Sequence, residues 1–289
     1  MAAGSSGITA YTDWGKADFS GIYDCPDPRH YFATLHRFDY QVPHHGQAVF
    51  RTLATALRRL HPERTPLTVV DLCCSYGINA ALLNHRVRLA DLYARYASPR
   101  LAALSARHLA ADDRAFFTDR RRPEAARVTG IDAAARATVY AHMTGLLEHA
   151  FAENLEVTEP SPALRLALAE TDLITVTGGV GYVYTGTFTQ LLACTPNPPW
   201  VAAFVLRTVP YQPIADLLAR SGLVTEKLHN RTFRQRHFIG NAERQATFAA
   251  LAANGLHPAG KEADGYYHTD LYLSRPAADI AALPLTRLL

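Results

Sequence analysis

The stretch Leu67-Thr68-Val69-Val70-Asp71-Leu72-Cys73-Cys74-Ser75-Tyr76-Gly77 decides the fold. Its first half is short, β-branched and apolar up to Asp71, which is typical of a strand buried in a parallel sheet. Small residues then occupy every second position, at Cys73, Ser75 and Gly77, and a helical pattern follows directly. A strand that turns into a helix past small side chains predicts a site where a ligand approaches the backbone and the free N–H groups of the helix start.

Strand patterns recur along the chain and alternate with helical ones. Further strands are predicted at residues 128–132, 172–177, 200–206, 224–238 and 266–273. An amphipathic helix is expected to follow the second strand as far as Phe151. This alternation predicts a doubly wound, mostly parallel α/β sheet covered on both faces. The last run alternates apolar and polar residues, which predicts an antiparallel strand at or near the sheet edge.

Two stretches fall outside this alternation. Residues 1–45 carry aromatic side chains, from Tyr11 and Trp14 to Tyr40, between prolines, and predict a lid segment over the site. The α/β domain is expected to occupy residues 46–289. Within it a helical insertion is predicted at about 86–125, because Asp132 follows Gly77 by 55 positions, whereas a compact unit has its acid about 20 residues on.

Composition and charge exclude several classes of protein. With 48% hydrophobic residues the chain can bury a core, which excludes a disordered protein. The net charge is only +3 and the single basic run, residues 120–122, is bounded by acids, so no nucleic-acid partner is predicted. No apolar run of about 18 residues is present, which predicts no membrane partner.

Cysteine usage and the chain start bear on the compartment. The four cysteines form no Cys-x-x-Cys pair and no spacing with histidine that suits zinc, so neither a disulfide framework nor a metal site is expected. Residues 1–7 are small and polar rather than a basic region before an apolar one, and predict no secretory signal. The expectation is a cytoplasmic protein.

Taken together, these features resemble the class I S-adenosylmethionine (SAM)-dependent methyltransferases over roughly residues 45–275. The first motif of that family reads acid-x-Gly-x-Gly-x-Gly. Asp71 and Gly77 match it, whereas Cys73 and Ser75 replace glycines. The resemblance implies a Rossmann-like sheet, SAM as co-substrate bound along this turn, and no metal.

The resemblance also implies an acid at the end of the second strand that takes the ribose hydroxyls. Asp132 holds that position. Asp91 is the rival, although no β-branched strand precedes it. The two assignments predict different mutational results, since only the true ribose ligand should weaken SAM binding when it is replaced.

The acceptor is expected near the Gly-rich end of the third strand. Thr177 and Gly178 are predicted to bind SAM there, and Tyr182 is a catalytic candidate because its hydroxyl can approach the methyl group. Arg207 ends the fourth strand, so it is either paired with an acid or holds an anionic group of the substrate. His268 and His237 are candidate general bases for a hydroxyl acceptor.

The leading hypothesis is a methyltransferase that acts on a small molecule by in-line displacement at the sulfonium methyl. In one form of this hypothesis the small molecule carries a carboxylate that Arg207 holds. One alternative is a non-methylating use of SAM, in which its own α-amine attacks the aminobutyl arm, closes azetidine-2-carboxylate and releases methylthioadenosine. A second alternative is a non-catalytic SAM-binding protein. The acceptor atom and the oligomeric state, a homodimer included, are left open by the sequence.

Overall fold

The strand predicted at residues 67–72 is β1 (Thr68–Leu72), an interior strand of an eight-stranded sheet in a computed structural model that describes residues 19–289. The other strands are β2 (Arg127–Ile131), β3 (His149–Phe151), β4 (Leu173–Thr177), β5 (Trp200–Leu206), β6 (Leu223–Lys227), β7 (Phe233–His237) and β8 (Tyr266–Pro276). Their order is β3-β2-β1-β4-β5-β8-β6, and β7 also pairs with β8. The first five strands are parallel. The predicted doubly wound, mostly parallel α/β sheet is confirmed.

The antiparallel strand of the prediction is β8, which pairs with β5 through residues 269–274. The sheet continues beyond it. The run predicted as one strand over residues 224–238 forms β6 and β7, which pair antiparallel with the second and first halves of β8. The edge outside β8 therefore consists of two short strands rather than of β8 itself.

Helices cover both faces of the sheet. They are α1 (Ser20–Tyr23), α2 (Arg29–His36), α3 (Val42–Leu60), α4 (Ile78–Asn84), α5 (Leu89–Tyr96), α6 (Pro99–Ala102), α7 (Ala106–Thr118), α8 (Ala135–Met143), α9 (Pro162–Leu168), α10 (Thr185–Ala193), α11 (Gln212–Arg220), α12 (Asn241–Ala253), α13 (Ala277–Ala282) and α14 (Leu285–Leu288). Neighbouring residues of β1 belong to different hydrophobic cores, since Val69 packs into one cluster and Val70 into the other. Among residues 19–289, no helix is both long and apolar enough to cross a membrane.

The helix predicted to extend to Phe151 is wrong in its second half. It ends at Met143, and Gly145 then adopts a φ of +75° that turns the chain. Residues 149–151 form β3, which pairs parallel with β2. Because the apolar spacing of three and four continues across the turn, periodicity alone hid the break, and Gly145 was the signal that marked it.

The insertion is helical, as predicted, and comprises α5, α6 and α7. Its anchor is Asp113, which is fully buried. The Asp113 carboxylate accepts hydrogen bonds from Arg95 Nε at 2.8 Å, Tyr96 Oη at 2.7 Å and Tyr140 Oη at 2.6 Å. Since Tyr140 belongs to α8, this buried carboxylate joins the insertion to a helix of the main sheet.

The predicted lid segment is described from Phe19 onward, and Tyr11 and Trp14 lie outside the described residues. Its aromatic side chains pack edge to face on one another. The Tyr31 ring centroid lies 5.6 Å from that of Tyr23 and 5.8 Å from that of Tyr76, which follows β1. Tyr76 Oη also accepts a hydrogen bond from the backbone N–H of Cys25 at 2.9 Å. The segment therefore packs against the turn that the sequence selected as the ligand site.

Candidate functional site

A cavity of about 510 Å³ opens at the carboxyl ends of β1, β2 and β4. The N-terminal segment forms one wall and β7 contributes another. Ligands of doubly wound sheets bind at this edge. Six of the predicted site residues line the cavity: Cys73, Ser75, Asp132, Thr177, Gly178 and Tyr182.

The turn after β1 has an unusual backbone. Cys73, Ser75 and Gly77 adopt φ values of +58°, +48° and +73°. These are the three positions at which the family motif has glycine. A left-handed conformation costs a residue with a side chain about 1 to 2 kcal/mol. The chain thus keeps the backbone path of a glycine turn although two of its glycines are replaced.

Gly77 is not among the residues that line the cavity, and its predicted role in ligand approach stays a prediction. A Cβ on Gly77 would lie 3.1 Å from the Cβ of Ala141 and 3.3 Å from that of Leu146. Both contacts are tighter than ordinary packing, and the positive φ also favours glycine. Gly77 is therefore needed for the close packing of α4 on the end of α8.

Asp71 is buried behind the cavity rather than lining it. Its Oδ1 accepts hydrogen bonds from Asn79 Nδ2 at 2.8 Å and Thr175 Oγ1 at 2.9 Å, and its Oδ2 has no partner among the described residues. Burial raises the pKa of Asp71 to about 7 in spite of these two donors. Because Asn79 Nδ2 also donates to Thr177 Oγ1 at 3.0 Å, Asp71 positions two residues that do line the cavity.

Asp132 and its rival Asp91 occupy different surroundings. Asp132 Oδ2 accepts a hydrogen bond from the Ser75 backbone N–H at 2.8 Å, and Oδ1 accepts one from the Ala134 N–H at 2.9 Å. Asp91 lies outside the cavity, where it accepts a hydrogen bond from the Arg88 backbone N–H at 2.8 Å and caps α5. Of the two acids, Asp132 is the one beside the turn.

The Gly-rich end of β4 approaches two other elements closely. A Cβ on Gly178 would lie 2.5 Å from Gln235 Nε2, and one on Gly179 would lie 2.7 Å from Cys73 Sγ. Tyr182 follows on an exposed turn that faces the cavity. The predicted catalytic role of Tyr182 stays a prediction, and so do the cofactor-binding roles of Thr177 and Gly178.

Arg207, the candidate for holding an anionic group of the substrate, lies outside the cavity. It is buried in an ion pair with Glu262, and its Nη2 donates to the His257 carbonyl at 3.2 Å. Of the two alternatives that the sequence left open, pairing with an acid is the correct one. Arg207 borders a separate cavity of about 730 Å³ beside α11 and β6.

His268 is also outside the cavity. Its Nδ1 hydrogen-bonds with Thr232 Oγ1 at 2.9 Å, and its Nε2 lies 3.5 Å from a carboxylate oxygen of Asp264. Burial lowers the pKa of His268. His237 does not border the cavity either. The structure therefore brings neither predicted general base to the site.

The contribution of β7 to the cavity is not predicted by the sequence. Gln235 and Arg236 line the cavity and are buried. Arg236 binds Glu243 through both guanidinium ends, at 2.7 and 3.0 Å, and its guanidinium lies over the ring of Phe19. Glu243 lies on a helix seven positions after Arg236, so no periodic pattern in the sequence links the two residues.

Within the described chain, no group of three or more His, Cys, Asp or Glu side chains is arranged to hold a metal ion. None of the four cysteines, all of which the structure describes, forms a disulfide.

No protein-family model and no curated protein matches the chain. Three similar solved structures are methyltransferases. The plantazolicin methyltransferase BpumL, in complex with S-adenosylhomocysteine (SAH), is 12% identical, with 89% of this chain and 93% of that one covered and a TM-score of 0.43. A SAM-dependent methyltransferase from Aquifex aeolicus is 12% identical, with 76% and 92% covered and a TM-score of 0.35. The O-methyltransferase of a trans-AT PKS multienzyme of Brevibacillus brevis, in complex with SAH, is 11% identical, with 77% and 80% covered and a TM-score of 0.37.

Proposed function

We propose that the chain binds SAM in the cavity at the ends of β1, β2 and β4 and transfers its methyl group to a small-molecule acceptor. The observation that carries the proposal is the position of Asp132. This acid ends the second strand, lines the cavity and is held beside the turn by the N–H groups of Ser75 and Ala134. A carboxylate fixed in this way can accept hydrogen bonds from a pair of adjacent hydroxyls, as a ribose offers.

The remaining walls suit the other parts of SAM. Ile131, Asn154 and Leu155 border the cavity next to Asp132, and they offer apolar contact and one amide to an adenine ring. The methionine portion would lie along the turn from Cys73 to Ser75. Burial raises the pKa of Asp132, so two ribose hydroxyls would stabilise its charged form in place of the lost water.

The sulfonium would face the aromatic wall of the N-terminal segment. Tyr23, Tyr31 and Tyr40 line this side of the cavity, and aromatic faces attract a cation. The in-line step needs a nucleophile aligned with the methyl–sulfur bond in a site that excludes water. We therefore assign residues 19–40 the role of a lid that closes the acceptor side.

Cavity size and cysteine chemistry support the finer parts of the proposal. A cavity of about 510 Å³ lies within the range of about 300 to 1,000 Å³ that is usual for small ligands. Four cysteines without a disulfide fit a reducing cytoplasm. Arg207 does not offer a partner to an acceptor carboxylate, because it is paired with Glu262 outside the cavity.

Calorimetric titration with SAH tests the site. Asp132→Asn should weaken SAH binding at least about tenfold, because it removes a charge-assisted acceptor. Asp91→Asn is the matched control and should bind SAH like the wild type, since its carboxylate caps α5 instead. Equal affinity of Asp132→Asn and wild type would overturn the assignment.

Turnover tests the reaction. Incubation with SAM and a panel of small acceptors should release SAH only when an acceptor is methylated. Methylthioadenosine released from SAM alone would instead support cyclisation through the aminobutyl arm. Tight SAH binding without any turnover would support a non-catalytic SAM-binding protein.

A further inference from the structure

The charged side chains that line the cavity are unevenly balanced. Within the described chain they are Asp24, Asp132, Glu153 and Arg236. Arg236 is bound at both guanidinium ends by the buried Glu243, so its charge is compensated. The three carboxylates remain, and none of them has a lysine or arginine side chain from the cavity wall as its partner.

Each of these carboxylates is held by main-chain or hydroxyl groups rather than by a cation. Asp24 Oδ1 accepts a hydrogen bond from the Arg136 backbone N–H at 2.7 Å, and Glu153 accepts from the Ser161 N–H at 3.0 Å and its hydroxyl at 2.6 Å. These donors satisfy the carboxylate oxygens but bring no positive charge. The field in the cavity is therefore negative, and it opposes an anionic acceptor.

The acceptor side is otherwise aromatic and apolar. Phe19, Tyr23, Tyr31 and Tyr40 surround it, together with Leu35 and Pro43. Burial raises the pKa of Tyr23, Tyr31 and Tyr40, so these phenols stay neutral. Their ring faces attract positive charge. A neutral phenol can donate one hydrogen bond to an anionic acceptor, but it carries no positive charge to compensate the negative charge of that acceptor.

Histidine is the commonest general base, and in the described part of the cavity wall only the three carboxylates named above could take that role. No histidine of residues 19–289 lines the cavity. His45, His237 and His268 all lie on neighbouring elements without reaching the cavity. An alcohol or unactivated phenol needs a base to remove its proton during methyl transfer. A nucleophile that already carries an available lone pair needs none.

Resting on the proposed function, we infer that the acceptor is an uncharged, largely apolar molecule that attacks through a neutral nitrogen lone pair. The nitrogen forms a bond to the methyl carbon while the carbon–sulfur bond breaks. The pair of electrons of that bond goes to sulfur, which becomes the neutral thioether of SAH. The positive charge moves from sulfur to nitrogen, and no proton has to leave in the methyl-transfer step.

This reaction matches the cavity because a cationic centre is present before and after the transfer, first on sulfur and then on nitrogen. The carboxylates and ring faces that attract the sulfonium also stabilise the methylated nitrogen. An anionic acceptor would instead have to be brought among three carboxylates before it could react. The cavity therefore selects its acceptor by charge and not by shape alone.

Two bicyclic aromatic probes of similar shape separate these cases. Isoquinoline has a neutral ring nitrogen when unprotonated, and 2-naphthoate is an anion. Titrated into the protein saturated with SAH, isoquinoline should bind at least about tenfold more tightly than 2-naphthoate. With SAM in place of SAH, mass spectrometry should detect N-methylisoquinolinium and no methyl naphthoate.

A charge variant adds an internal control. Asp24→Asn keeps the hydrogen bond to Arg136 and removes one carboxylate, so the preference for isoquinoline should narrow about threefold. Asp216 borders the separate cavity beside α11, so Asp216→Asn should leave the preference for isoquinoline over 2-naphthoate unchanged. Equal or tighter binding of 2-naphthoate, or no binding of isoquinoline to the SAH complex, would overturn the inference alone. Failure to bind SAH at all would overturn the proposed function with it.

Discussion

The sulfur of Cys73 occupies the space into which a side chain at residue 179 would project. A Cβ on Gly179 would lie 2.7 Å from Cys73 Sγ and 2.9 Å from Cys73 Cβ. The turn after β1 and the end of β4 therefore meet through a residue that has no side chain. Both sides of this contact line the cavity, so its geometry fixes how far apart two walls of the site stand.

Gly179→Ala should lower the free energy of unfolding by about 1 to 3 kcal/mol, the usual cost of an overpacked contact, and should weaken SAH binding. Thermal denaturation and calorimetry measure the two effects. Gly21→Ala is the matched control, because a Cβ there meets nothing within 4 Å. Adding Cys73→Gly to Gly179→Ala should restore stability, and a double variant as unstable as the single one would contradict the contact.

Ser75→Gly should leave the stability unchanged or raise it by up to about 1 kcal/mol. Glycine relieves the left-handed backbone at φ +48° and removes a buried hydroxyl that has no hydrogen-bond partner. Ala111→Gly, on the exposed face of α7, should instead cost about 1 kcal/mol, as glycine does in a helix. Urea unfolding compares the two, and a loss at Ser75 as large as that at Ala111 would contradict the strain.

Asp71→Asn should change how stability depends on pH. Burial raises the pKa of Asp71 from 3.8 to about 7, so between these values the folded chain holds a proton that the unfolded chain has released. The free energy of unfolding therefore falls as the pH rises through this window, by at most about 1.4 kcal/mol for each pH unit. Relative to the wild type, the variant should become more stable from pH 5 to about pH 7 and show no further gain above it. Parallel Tm profiles for the two proteins would contradict the shift.

Arg207→Met should destabilise the chain by about 3 kcal/mol or more, because it leaves Glu262 buried without its partner. The double variant Arg207→Met with Glu262→Leu should recover most of this loss. Calorimetry on the folded variants should show wild-type SAH affinity, since neither residue lines the cavity at the ends of β1, β2 and β4. A selective loss of SAH affinity in the double variant would instead indicate that Arg207 takes part in ligand binding.

The sheet was predictable where neighbouring residues determine structure. The β-branched run before Asp71, the small residues after it and the acid at position 132 each show in the sequence as a local pattern, and β1, its turn and the end of β2 follow them. β3 was missed because Gly145 interrupts an apolar spacing that continues across it. Gln235 and Arg236 were missed because their burial depends on contacts with Gly178 and Glu243, which no local pattern records.

The Asp113 hydrogen bonds limit how this chain can be shortened. Deleting residues 86–125 to reach a minimal sheet would remove the carboxylate that accepts from Tyr140. The hydroxyl of Tyr140, a residue of α8, would then lose its hydrogen-bond acceptor. α8 is also the helix that packs over Gly77. The inserted helices are thus a structural part of the same folding unit, and a truncated version for engineering would need a redesigned α8 as well as a new loop.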